Sequence, residues 1–154
     1  MTSGNRCLLV RQPYASLIAY GLKRAEFRKY PTKIRGPIGI AASKGASLKT
    51  QTESLNGVSN SWPRGVVLAK ATLVRTEFWD ITRLRECIKP QREISVHNTK
   101  ISIYDSPLGE PVEDVDAAIK TYSWQSWAWI LDNVVALDHP VQYSHSGRST
   151  WATF

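Results

Sequence analysis

The 154-residue chain is 42% apolar with six tryptophans, enough for one hydrophobic core and too apolar for a disordered segment. No apolar run approaches the ~20 residues of a membrane span, and the opening Met1-Thr2-Ser3-Gly4-Asn5-Arg6 lacks the apolar stretch of a signal peptide. The net charge is +7, and two cysteines, Cys7 and Cys87, make no disulfide framework, so a cytoplasmic (or, in a eukaryote, nuclear) setting is expected.

In chain order, Arg6 to Val10 reads as a buried strand, with Cys-Leu-Leu-Val between polar ends. Gln12-Pro13 then opens a short helix, because proline is tolerated where its missing N–H is not needed. Tyr14, Leu17 and Ile18 share one helical face, and Gly21 supplies the stop. Ala25 to Tyr30 alternates as a strand, placing Glu26, Arg28 and Tyr30 on one face and Ala25 and Phe27 on the other. After the Arg35-Gly36-Pro37 turn, Pro37–Ser43 forms a strand whose faces differ. Ile38, Ile40 and Ala42 point one way; Gly39, Ala41 and Ser43 leave room for a ligand or a closely packed helix on the other.

Residues 44–62 suit a short helix and a loop. Gly65 to Thr76 is a long strand with a bend, and Asp80–Cys87 a small helix with Asp80 as its cap. Glu93–Val96 and Lys100–Tyr104 alternate and are expected to pair through His97-Asn98-Thr99. Pro107–Pro111 reads as a loop, and Glu113–Lys120 as a short acidic helix. From Trp127 the alternation is clear: Trp127, Trp129 and Leu131 on one side, Ala128 and Ile130 on the other, continuing at Val134–Leu137 after Asp132-Asn133. A turn at Ser146-Gly147-Arg148 precedes a closing strand, Ser149–Phe154. Many short strands with a few small helices argue for an α+β domain spanning 1–154, a mixed β-barrel capped by helices.

The charge is polarised along this plan. Residues 1–50 hold ten basic side chains and one acidic one, Glu26, for +9, while the remainder is −2. Such asymmetry signals an anionic partner, with nucleic acid the commonest; a merely solubilising surface is the alternative. Histidines 97, 139 and 145 show no ligand spacing and neither cysteine has a nearby partner, so no metal is expected. No phosphate-binding glycine loop and no Gly-x-Ser-x-Gly elbow occur, and no cofactor is expected.

Three stretches carry a resemblance. Gln12-Pro13-Tyr14-Ala15-Ser16-Leu17-Ile18, Gly21-Leu22-Lys23-Arg24-Ala25-Glu26-Phe27-Arg28 and Arg35-Gly36-Pro37-Ile38-Gly39-Ile40-Ala41-Ala42-Ser43 resemble the ASCH (activating signal cointegrator homology) family of the PUA-like superfamily. Trp127 to Asn133 is similar to that family's late strand. The resemblance implies a PUA-like β-barrel with a cleft beside the first helix and a nucleic-acid-binding role. It also implies a second activity, since small bacterial members look like amidohydrolases of acetylated cytidine, using the signature lysine, a threonine three residues later and a distant glutamate. Here Lys23 matches the lysine, but Glu26 stands at the threonine position and cannot replace its hydroxyl as a nucleophile. Arg24 stands where many members have threonine, adding positive charge beside the cleft.

The first expectation is therefore a module binding single-stranded RNA or DNA, or a nucleotide, in a basic cleft lined by Gln12, Tyr14, Lys23, Arg24, Arg28, Arg35, Ser43 and Lys44. Lys23 is suited to phosphate as a flexible point charge, and Arg28 offers a planar fork. Tyr14 belongs to the core or stacks a base. Trp127 and Trp129 are assigned to the core, with Trp62, Trp124 and Trp151 as weaker stacking candidates. The alternative is a metal-independent ribonuclease or nucleoside hydrolase with Lys23 and Glu26 as its acid–base pair. A third option is a protein partner met through the basic face, and no membrane partner is expected.

Overall fold

A computed structural model describes residues 5–44, 62–88, 91–105, 107–112, 114–122, 127–145 and 149–154. The elements run β1 (Arg6–Val10), α1 (Tyr14–Ala19), β2 (Ala25–Arg28), β3 (Gly36–Ala42), β4 (Val66–Phe78), α2 (Ile81–Cys87), β5 (Gln91–Val96), β6 (Thr99–Tyr104), α3 (Val115–Tyr122), β7 (Trp127–Gln142) and β8 (Trp151–Thr153). Six strands form one sheet in the order β2-β7-β4-β3-β1-β8, and β5-β6 form a separate hairpin. Only β1 and β3 run parallel among the paired strands. This is the expected α+β architecture: mostly strands, a sheet curled into a half-barrel, and three short helices, in keeping with a PUA-like fold.

The curl has a local cause. β4 changes register three times against β7 and once against β3, and each extra residue bends its strand and increases the twist. One such break falls where Asn133 adopts φ +50, so the expected interruption at Asp132-Asn133 is a bulge inside one 16-residue strand. The bending brings β2, at one edge, towards β1, next to the other edge. Arg28 Nη2 on β2 donates to the Leu9 carbonyl on β1 at 2.7 Å.

The inside of the curl is the main core. Leu8, Val10, Ile38, Ile40, Ala69, Leu73, Trp129 and Leu131 pack there with Ala15 and Ile18 of α1. Each fully buried aliphatic side chain contributes roughly 1.5–3 kcal/mol. Period two sends the alternate β7 residues outwards, so Ala128 joins Phe27, Trp79, Leu84, Leu108 and Ala118 in a second core beneath α2 and α3. A third cluster, Leu17, Trp62, Val96, Ile101 and Ile103, fastens the β5–β6 hairpin to α1.

Local chemistry explains several boundaries. Asp80 caps α2, its carboxylate accepting from the Arg83 amide at 2.9 Å. His97 and Asn98 both have positive φ, 49° and 60°, the conformation of a two-residue hairpin turn matched to strand twist. Pro13 is the residue before α1, so the proline lies just outside the helix it was expected to open. Among the described residues, the small-residue face of β3 is met by neighbouring strands and the C-terminal segment, where a ligand or a helix was expected. Ala41 packs with Cys7, Val67 and Ala152, and a Cβ built on Gly39 would lie 2.5 Å from the Phe154 ring. The chain's own last residue covers that face. Among expected features, Trp124, Glu113, Lys49, the turn at 146–148 and nearly all of the 44–62 segment lie outside the described residues.

Candidate functional site

The signature segment follows α1 through a tight turn. Gly21, at φ +77, ends the helix, and the Leu22 and Lys23 amides both donate to the Leu17 carbonyl, at 2.9 and 3.1 Å. This turn drives Lys23 inwards. Its side chain is 1% exposed, and its Nζ is paired with Glu110 and 4.0 Å from Glu26 Oε1. The aromatic faces of Tyr14 and Phe27 lie 5.5 and 5.2 Å from the ammonium. The expectation of Lys23 as a flexible point charge is corrected here. A buried ammonium is tolerated only when paired and hydrogen-bonded, and Lys23 meets that condition through carboxylates and ring faces.

Glu110 is the residue that sequence reasoning missed. It lies in the loop between β6 and α3, and the loop must approach the signature turn very closely to deliver it. Gly109 makes this approach possible: it adopts φ +56, and a Cβ there would collide with the Leu22 carbonyl and sit 2.5 Å from Lys23 Cα. Two backbone bonds lock the loop, Arg24 N to Pro107 O and Tyr104 N to Glu110 O, each 2.9 Å. The available signal was a lone Gly-Glu-Pro in a loop, which carries no periodicity to point at its partner.

Glu26 and Arg28 share one face of β2, as the alternation required. Arg28 Nη2 donates to Glu26 Oε2 at 3.0 Å and, at 2.7 Å, to Leu9 O. Its guanidinium carbon stands 5.7 Å from the Trp129 ring centre, Trp129 stacks on Trp151 at 5.9 Å and 21°, and Arg6 covers Trp151 at 5.5 Å. Lys23 and Arg28 therefore balance Glu26 and Glu110 in one largely internal charge network. Glu26, the lone acid of a +9 segment, has its charge met by two cations instead of facing outwards.

The other expected site residues fall into two groups. Gln12 and Ser43 are tied into the scaffold: Gln12 is buried, its amide donating to Ser16 Oγ at 2.8 Å and Pro63 O at 2.7 Å while accepting from Ser16 N at 3.0 Å. Ser43 N donates to Val10 O, and its hydroxyl is buried with no partner among the described residues. Arg24, Arg35 and Lys44 are exposed, as are Arg6, Arg11, Lys29 and Lys33. Among the described residues, no carboxylate lies within salt-bridge distance of Arg24, Lys29, Lys33, Arg35 or Lys44. Arg35 is braced by its own loop, Nη1 donating to Thr32 O and Ile34 O at 2.7 Å.

His97, in the expected hairpin turn, is tied to α1. Its Nε2 shares a 2.9 Å hydrogen bond with Ser16 Oγ, and Trp62 and Tyr20 pack edge-on against its ring. Burial pushes its imidazole below the ordinary value of 6.5. Trp62 is buried in the cluster joining hairpin to helix, which makes it scaffold. No helix among the described residues is long and apolar enough to cross a membrane.

A family model described as ASCH domain matches residues 8–141, most of the chain. No curated protein matches it.

Proposed function

The chain belongs to the ASCH domain family, and we propose on that footing that it is a nucleic-acid-binding module holding single-stranded RNA or DNA against its basic N-terminal face. The observation that carries the reading is how the segment's charges divide. Lys23 and Arg28 are neutralised inside by Glu110 and Glu26, while Arg24, Lys29, Lys33, Arg35 and Lys44 stay exposed and free of carboxylates among the described residues. Exposed cations unopposed by acids are what a phosphate backbone requires, since each contact releases a condensed counterion. In this reading Lys23 shapes the cleft and the outer residues contact phosphate.

The test is oligonucleotide binding as a function of salt. Affinity should fall linearly on a log–log plot, with a slope of about −0.7 per phosphate contact. Lys29→Glu and Lys33→Glu should each lower affinity and flatten the slope by about one contact, while Lys120→Glu, on α3, should do neither. Salt-independent binding, or none, would end this reading.

A second reading is favoured by one observation, the Lys23 ammonium held between two carboxylates, Glu110 and Glu26. That is the composition of an acid–base site, and it keeps a nucleoside hydrolase or ribonuclease as the alternative. Turnover lost in Glu26→Gln with binding intact would establish it. Absence of turnover in the parent protein would retire it.

A further inference from the structure

One row of side chains lies apart from the exposed cations Arg24, Arg35 and Lys44. Arg28 on β2 is directly opposite Trp127 on β7, which is directly opposite Phe78 on β4. Opposed residues of paired strands project from the same face, so these three form a line across one end of the sheet. Phe78 meets the Trp127 ring edge-on at 5.7 Å and still leaves 59% of its surface exposed. Tyr30, two residues past Arg28, is 74% exposed, and its carbonyl accepts from Trp129 Nε1 at 2.9 Å. From Arg28 the line continues through the Trp129–Trp151 stack to Arg6.

We infer that this row is a stacking platform for a single-stranded polynucleotide, with one base resting on Phe78, which Trp127 braces edge-on, and another on Tyr30. The inference rests on the nucleic-acid reading above and deepens it. The basic face contacts backbone phosphate, and the aromatic row makes the preferred ligand a strand of several nucleotides instead of a mononucleotide.

The choice of occupant follows from composition and charge. The most exposed apolar side chains of the row, Phe78 and Tyr30, are aromatic and offer flat π faces, which any base can cover. Exposed aliphatic residues such as Val135 and Val141 lie towards the far end of β7. Arg6 ends the row, over Trp151, and the exposed Lys29 and Lys33 flank Tyr30 in the chain. The one acid on this face of β2, Glu26, is already paired with Arg28. An anionic, base-bearing chain fits both features; an acidic peptide would use the cations and leave the rings uncovered.

The experiment compares uridine monophosphate with an oligouridylate of about ten nucleotides, within the site sizes of single-strand binders. Binding is read at low salt by anisotropy and tryptophan quenching. Wild type should bind the oligomer at least about tenfold tighter than the monomer. Phe78→Leu and Tyr30→Leu should each weaken oligomer binding at least about fivefold, the effect of losing one stacked base, and leave the monomer unaffected. Phe78→Trp should bind like wild type, because it keeps a π face. Val135→Ala, at the distant apolar site, should bind like wild type as well.

Oligomer binding by wild type that is unchanged in both leucine variants would overturn the platform while leaving the basic face intact, and would assign the aromatic row to a protein surface. No oligomer binding by wild type would overturn both. Phe78 and Tyr30 are exposed, so circular dichroism should show every variant folded.

Discussion

Replacing Glu110 by glutamine tests whether the internal charge network is as tightly built as its geometry indicates. The change keeps the shape and removes the charge facing Lys23, whose side chain is 1% exposed. The ammonium is then left with Glu26 alone, 4.0 Å away and already engaged by Arg28 at 3.0 Å. Breaking a buried pair by removing one partner costs about 3–5 kcal/mol, and the residual pull of Glu26 places this case near the lower end, at ~3 kcal/mol. For a chain of this size each kcal/mol shifts the midpoint by about 2–4 °C, so Tm should fall by ~6–12 °C in a circular-dichroism melt. Lys23→Met together with Glu110→Gln should recover most of the loss, because two neutral groups no longer strand a charge in the interior. A Glu110→Gln protein melting within about 2 °C of wild type, or two single losses that simply add, would refute the account of Lys23 as a buried, pair-dependent ammonium.

Three further outcomes follow from neighbouring features. Gly109→Ala should destabilise about as much as Glu110→Gln, ~3 kcal/mol in urea unfolding, since a methyl at φ +56 collides with the Leu22–Lys23 backbone and withdraws Glu110 from its partner. Thermal stability should hold above about pH 6.5 and decline below it, because His97 takes up a proton less readily in the folded state than in the unfolded one; His97→Asn, which tolerates the positive φ, should flatten that part of a Tm–pH profile. Cys7, its thiol pushed up to about 11 by burial, should resist a thiol reagent at pH 8 in the native protein and react on unfolding, as timed by thiol titration.

The features legible in the sequence were those set by a residue and its near neighbours. The β7 alternation from Trp127 to Leu131, the Asp80 cap and the His97-Asn98 turn depend on backbone geometry over a few positions, and the structure shows each. The signature spacing likewise puts Glu26 and Arg28 on one face of β2, because side chains alternate with period two. Tertiary structure alone decided what those side chains meet. Lys23 reads as a point charge for phosphate until Glu110, 87 residues away, arrives through a glycine that lets two backbones touch. The small-residue face of β3 invites a ligand or helix until Phe154 closes over Gly39. His97 looks solitary until the hairpin packs on α1 and sets it beside Ser16. Propensity and period carry information along the chain over a turn or two, whereas the pairing of a buried charge depends on how the sheet curls and which loop it brings back.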